Sequence, residues 1–491
     1  MAHVSASEST ETTPAAHPLL VVMVLGFSSL CAALMQSLVI PIQSELPDLL
    51  HTTASNTSWV VTATLLGAAV SMPVTGRLAD IFGKKPVLVA SAVILLAGSL
   101  LCATTDVFVL VLVGRVLQGV SMGYIPVAIS MVREVTPPRM TNSALSAVSA
   151  TLGVGGALGL PLAALIVQSM DWHALFWLSS ALAVVVIALS ATILPHHRRE
   201  HPAKVDVVGG IGLAIGLVSV LVGVTKGNDW GWASTGTLGM IIGGALVLVA
   251  WGFYEVRHHS PLVDLRTTVR LPVLFTNLAA LVVGFGMMAQ SVVVPQLLEM
   301  PTATGYGLGQ SILQTGLWMA PAGLMMLAMS PVCSALLTRF GGRITLAIGA
   351  GVLSAGYVMG VFLTDEPWKL LLATIVSSCG VGIGYAAMPA LILGNVPRDE
   401  ASSSVGVNSL MRSMGTAVAG AVMGIVLTSQ TTTLGGETTI PTHGAFQTCF
   451  VIGAAAAAAG VILTLLVPRD KSAGTATEQA GAPEQTVAAP A

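Results

Sequence analysis

The stretch Gly76-Arg77-Leu78-Ala79-Asp80-Ile81-Phe82-Gly83-Lys84-Lys85 lies between two long apolar runs. A glycine, a carboxylate, a second glycine and two lysines crowd a connection too short for a folded loop. Water-soluble domains have little use for that arrangement. A chain that crosses a membrane many times, and rocks one helix bundle against another, needs a tight charged hinge on its cytoplasmic face.

The composition around the stretch agrees. Of 491 residues, 54% are hydrophobic and only 9% charged, with a mean hydropathy of +0.85. Soluble domains carry about 25% charged residues. Apolar runs long enough for a hydrocarbon core of about 30 Å recur along most of the chain. They predict fourteen spans, at 18–41, 57–78, 86–104, 108–132, 141–168, 174–194, 206–225, 236–255, 272–294, 312–337, 343–363, 368–394, 402–428 and 445–467. A net charge of −2 suggests no nucleic-acid partner. The five cysteines are scattered inside apolar runs without a CxxC pair, as small buried side chains. The polar start, without lysine or arginine, reads as a disordered tail rather than a signal peptide. So does the Ala-, Thr- and Gln-rich end.

Lysine and arginine placement orients the spans. With the N-terminus inside, sixteen fall in cytoplasmic connections and tails, and only Lys226 and Lys369 in outer ones. The remaining two, Arg115 and Arg412, fall within spans. The expected topology therefore places both termini in the cytoplasm.

The hinge stretch has an echo. Ser334-Ala335-Leu336-Leu337-Thr338-Arg339-Phe340-Gly341-Gly342-Arg343 repeats its Phe-Gly and its final cation. The two copies are farther apart than six spans of ~20 residues with short connections would place them. Two extra spans inserted between two six-helix halves account for the excess. The predicted organisation is a tail at 1–17, a six-helix bundle at 18–195, a linker with two extra helices at 196–271, a second six-helix bundle at 272–467 and a tail at 468–491.

Four segments carry a resemblance to the major facilitator superfamily, and within it to the fourteen-helix drug:proton antiporters. The hinge stretch resembles the superfamily's cytoplasmic signature, with Ile81 at a usually basic position. Leu112-Val113-Gly114-Arg115-Val116-Leu117-Gln118-Gly119-Val120 is similar to its R-x-x-Q-G motif. Gly153-Val154-Gly155-Gly156-Ala157-Leu158-Gly159-Leu160-Pro161 is similar to the antiporter motif, with the proline one place late. Val205-Asp206-Val207-Val208-Gly209 opens the seventh span as in the fourteen-helix group. The resemblance implies an all-α membrane fold of two six-helix bundles plus two inserted helices. It further implies a monomeric multidrug or antibiotic exporter in the plasma membrane. Such an exporter is driven by protons, without a cofactor, and touches only lipid and lipophilic substrate. An uncoupled facilitator or lipid translocator is the alternative, and no phosphate loop or hydrolytic triad suggests an enzyme.

One departure matters. The group usually carries an aspartate in the first span, where this chain has Ala32 or Met35. No Asp, Glu or His lies at mid-membrane depth. Asp80, Glu134 and Asp206 could titrate, all at the cytoplasmic edge. The deep charges are Arg115 and Arg412, which hydrocarbon tolerates only when they face protein or water. Both are expected to face a central cavity or a polar neighbour, Arg115 with Gln118 and Arg412 with Asn408, favouring neutral or anionic amphiphiles. Met35, Gln36, Met319 and Met411 are candidate lining, thioethers being adaptable to varied apolar ligands. Gly76, Asp80, Gly83, Lys84, Lys85 and Arg133 form a candidate conformational switch. Asp80 is expected to pair with a cation such as Arg133 or Lys84, or to accept N–H groups of a helix start, the start of the thirteenth span near Ser402 being the target that the half-repeat suggests. Gly155, Gly156, Gly159 and Pro161 are expected at the seam between bundles, against Gly316 and its neighbours. Pro161 is expected to loosen the helix one turn upstream. No metal site is expected.

Overall fold

The computed structural model describes residues 17–43, 45–196, 204–434 and 438–468; both expected tails lie largely outside them. The first half contains α1 (Pro18–Ser37), short α2 (Leu46–Leu49), α3 (Ala54–Phe82), α4 (Lys84–Ala103), α5 (Phe108–Ser121), α6 (Tyr124–Val135), α7 (Pro138–Ser169) and α8 (His173–Ile193). An inserted pair follows, α9 (Val207–Trp230) and α10 (Thr235–Arg257), then short α11 (Leu265–Thr268). The second half contains α12 (Leu271–Glu299), α13 (Ile312–Ala328), α14 (Ser330–Phe362), α15 (Pro367–Asn395), α16 (Ala401–Ser429) and α17 (His443–Leu465). A two-stranded hairpin, β1 (Thr431–Leu434) with β2 (Thr438–Pro441), joins the last two helices.

Local chemistry sets several of these ends. Proline opens α1, α7, α12 and α15, where a missing N–H costs nothing. Thr53, Asp206, Ser234 and Thr442 each accept a first-turn N–H. Ser311 and Gln314 form a reciprocal capping box at α13.

Among the described residues, thirteen stretches are long and apolar enough to cross a membrane. One of them, Ile312–Phe362, has 51 residues. At about 1.5 Å per residue it would be more than twice the hydrocarbon thickness if straight. It turns back at Gly341, with φ 73° and ψ 170°, so it folds into two membrane-length helices, which makes fourteen among the described residues. Gly83 does the same between α3 and α4, with φ 92° and ψ 156°. The internal repeat is thus a repeat of backbone shape, at a torsion only glycine adopts readily. This corrects the hinge reading: Gly76 to Phe82 are helical, and Gly83 alone makes the turn.

The two halves meet along two lines. On one, α7 runs against α13 and α14. A Cβ on Gly316 would sit 3.3 Å from Pro161, and one on Gly153 would strike Met326. Toward the hinge end, Ser143 bonds Ser334 at 2.8 Å and Asn142 donates to Thr338 at 3.2 Å. On the other line, α3 touches α16. A Cβ on Gly76 would stand 2.4 Å from the Ser402 carbonyl, and one on Gly406 would stand 2.4 Å from that of Met72. The antiporter motif divides between partners. Pro161 faces the seam, whereas Gly155 meets Leu30 and Ala33 of α1, Gly159 meets Ser37, and Gly156 has open space. The expectation of one continuous glycine ridge at the seam fails because consecutive helical turns face different neighbours. With Pro161 inside it, α7 runs as one helix from Pro138 to Ser169.

Away from the hinge, α9 wedges beside α3 and α16. Lys226, expected in an outer loop, is instead buried in its last turns. It lies 5.0 Å over the Trp59 ring, donates to Ser58, and pairs with Asp229 at 3.1 Å. By contrast, α10 rests mainly on α9 and leaves most of its surface uncovered.

Candidate functional site

Arg412 sits midway along α16, where a charge needs compensation. Its guanidinium lies 4.4 Å over the Tyr385 ring of α15, a cation–π contact that replaces part of the lost hydration. A Cβ on Gly284 of α12 would strike its backbone carbonyl, so a glycine makes room for it. Arg412 opens onto a cavity enclosing about 110 Å³ between the two bundles. Gln36, Thr62, Met72, Met122, Met287, Tyr385, Ser413 and Thr416 contribute to its wall. The wall mixes thioethers, hydroxyls and one cation, and carries no carboxylate among the described residues. This space is below the several hundred Å³ a drug-sized ligand fills.

The hinge end of this cavity is closed. Asp80, fully buried near the end of α3, accepts the backbone N–H groups of Ser402 at 3.1 Å and Ser403 at 2.8 Å. These amides belong to the first turn of α16, whose donors have no helical partner and carry the positive end of the helix dipole. The acid at one helix end thus fills the need of another helix in the opposite bundle. Ser130 of α6 adds a 2.7 Å contact between its hydroxyl and that of Ser402. Arg133 donates to the Leu393 carbonyl, again across the seam. Lys84 pairs with Glu134 at 2.8 Å, and half-buried Lys85 follows it into α4. Lys84, Arg133, Glu134 and Arg398 edge a cleft of about 720 Å³ outside this closure.

Several expected lining residues stand elsewhere. Arg115 is 1% exposed inside the first bundle. Its Nε donates to the Val60 carbonyl at 3.1 Å and its Nη1 to Gln118 Oε1 at 2.7 Å, while Gln118 donates to Ser99 at 2.9 Å. Carbonyl and amide oxygens satisfy this guanidinium, so it needs no aqueous path. Asn408 does not join Arg412. One helical turn separates them, but Asn408 points to α12 and donates to Asn277 at 3.0 Å. Met35 is buried with Leu34 and Leu38 in an apolar cluster at the far end. Met319 and Met411 pack on core clusters outside the cavity wall. Gln36 alone of those four reaches it.

The wall residues missed include Thr62, Met72, Met122, Tyr385, Ser413 and Thr416. Thr416 had a signal, one turn from Arg412 on the same helix. Tyr385 had another, as the single phenol among the glycines and alanines of its span. No clustered His, Cys, Asp and Glu able to hold a metal occurs among the described residues.

The family model described as Major Facilitator Superfamily matches residues 25–420 and 276–489. An uncharacterized MFS-type transporter of Mycobacterium tuberculosis strain H37Rv is 27% identical over 372 residues, 75% of this chain and 53% of that protein. This chain thus spans about half the length of that relative. The tetracenomycin C resistance and export protein of Streptomyces glaucescens is 26% identical over 397 residues, 78% of this chain and 70% of that protein. Among solved structures, a human organic anion transporter superposes with a TM-score of 0.63 at 16% identity, covering 92% of this chain and all of that one. Fourteen membrane-length helices among the described residues, glycine turns at matched places in two bundles and a family match across most of its length agree: the chain is a multi-pass membrane protein that belongs to the major facilitator superfamily.

Proposed function

We propose that this protein exports small lipophilic compounds, neutral or anionic, by alternating access and in exchange for protons. It is a transporter and not an enzyme. The hinge end is its cytoplasmic face, both termini lie there, and the cell membrane is its site. The observation that carries the reading is the Arg412 cavity on the seam, closed on one face by Asp80 at the foot of α16. A cavity with one face shut by bonds that cross two separate bundles is what alternating access requires. The relatives named for antibiotic export support the direction of transport.

Charge chooses the substrate class. A cationic ligand in this cavity would meet Arg412 and no acid, whereas an anionic one would gain a desolvated partner. Reconstituted vesicles with fluorescent amphiphiles of each charge test this. Anionic and neutral compounds are expected to move, and Arg412→Ala to slow the anionic ones about tenfold or more. Faster movement of cations, with anions indifferent to Arg412→Ala, overturns the charge assignment.

The carboxylate-free wall also favours a second reading, an uncoupled facilitator or lipid translocator. An imposed pH gradient separates the two: antiport predicts faster uphill export with protons on the receiving side, and equal rates with and without the gradient leave the facilitator.

A further inference from the structure

At the hinge end of the inserted pair, two acids face into one buried space. Asp206 caps α9, and its Oδ1 accepts the Gly209 N–H at 2.8 Å and the Tyr254 hydroxyl at 3.1 Å. Glu255 lies in the last turn of α10; its Oε2 accepts the Leu262 N–H at 3.2 Å, and the Val263 N–H also lies against this carboxylate. The other two oxygens, Asp206 Oδ2 and Glu255 Oε1, have no hydrogen-bond partner among the described residues. Both point at Gly209, where an added Cβ would stand 2.4 Å from the first and 2.9 Å from the second. Asp206 is 6% exposed and Glu255 2%.

Two ionised carboxylates so placed would repel each other, and each would leave an acceptor bare in a dry site. One proton removes both costs. Carboxyl pairs that cannot both ionise share a single proton in this way. Among the described residues, the surrounding charges do not replace it. From α10, His258 Nε2 stands 3.9 Å from Asp206 Oδ2, a long contact on a side chain 37% exposed. From α3, Arg77 faces Glu255, but it also faces Glu400 beside the foot of α16, and Asp264 and Asp399 lie near that acid. A single guanidinium therefore serves acids on two sides.

The pair is wired to the seam. Leu262, whose N–H Glu255 holds, and Val263 are buried with Ala69 of α3 and Val407 and Leu410 of α16. The geometry points to Asp206 and Glu255 as a proton-binding site, one proton being held between Oδ2 and Oε1; on the antiport reading above, on which this role rests, that proton is the coupling ion. Loss of the proton leaves Glu255 to compete with Glu400 for Arg77, within one turn of Asp80. Proton occupancy thereby biases the closure between α3 and α16.

The test uses the full chain in lipid nanodiscs. Infrared difference spectra are recorded across a pH titration, with Glu255→Gln, Asp206→Asn and Gly209→Ala. The wild type is expected to show the carbonyl band of one buried carboxylic acid, titrating as a single proton. Either acid substitution should abolish it, and Gly209→Ala, which keeps both acids but fills the space between them, should shift its midpoint. A wild type without such a band, or a band that survives both acid substitutions, overturns the site whatever the variants' stability. In vesicles, the ratio of export rates with and without a pH gradient should fall to one in Glu255→Gln. A ratio that stays at the wild-type value denies the coupling role. A wild type that itself ignores the gradient sinks the antiport reading and the coupling role with it, while the infrared band still decides the proton site.

Discussion

The two deep arginines are chemically alike and do opposite work. Arg115 is enclosed by Val60, Gln118 and Ser99 within one bundle, while Arg412 lies over Tyr385 at the cavity. Arg115→Ala takes the donor from the buried Gln118 Oε1, at about 1–3 kcal/mol, while the Val60 carbonyl keeps the Thr64 hydroxyl at 3.3 Å. Its expected outcome is a lower melting temperature in detergent, with substrate charge preference unchanged in the protein that survives. Arg412→Ala should do the reverse, leaving the melting curve near wild type and altering which amphiphiles move. Asp80 acts at the same scale. Hydrogen bonds to a charged acceptor contribute about 1.5–3 kcal/mol each, and an asparagine presents one oxygen to two amides. Asp80→Asn should open the hinge face at least tenfold more often, read as faster labelling of a cysteine placed at Met72 by a reagent added from that face. Unchanged labelling would remove Asp80 from the switch.

For whole helices, what matters is how closely two backbones approach. Gly76 and Gly406 bring α3 and α16 together where no Cβ fits. Gly76→Ala should therefore wedge that line apart and favour the state open at the hinge, whereas Gly156→Ala, with open space around it, should transport normally. Equal behaviour of the two variants, in the same labelling assay, would mean the contact carries no bias. The helices themselves were legible in the sequence, because a span of this length and apolarity has few alternatives. The partner of each helix face was less so. Gly155 and Gly159 turned to α1 and not to the seam, since a stripe of small residues records that something comes close without naming it. Asn408 and Met35 were misplaced for a related reason: helical spacing fixes neighbours along a helix but not the rotation of that helix in its bundle.

Across the whole molecule, the internal repeat was readable as sequence and recurs as geometry, with Gly83 and Gly341 in one unusual torsion. What the repeat could not forecast was the acid pair at Asp206 and Glu255, assembled from residues far apart in sequence across two antiparallel helices. The repeat is also imperfect in a way that bears on motion. Where the first copy has Asp80 bonded to two amides, the second has Thr338 receiving one side-chain amide from Asn142. Spin labels across each line should show the wider excursion between α7 and α14 and the smaller one between α3 and α16. Equal excursions would deny the difference in grip. A molecule stitched firmly along one margin and loosely along the other does not part evenly. It swings like a book on its spine, and a guest large enough to strain the passage would leave by the fore-edge.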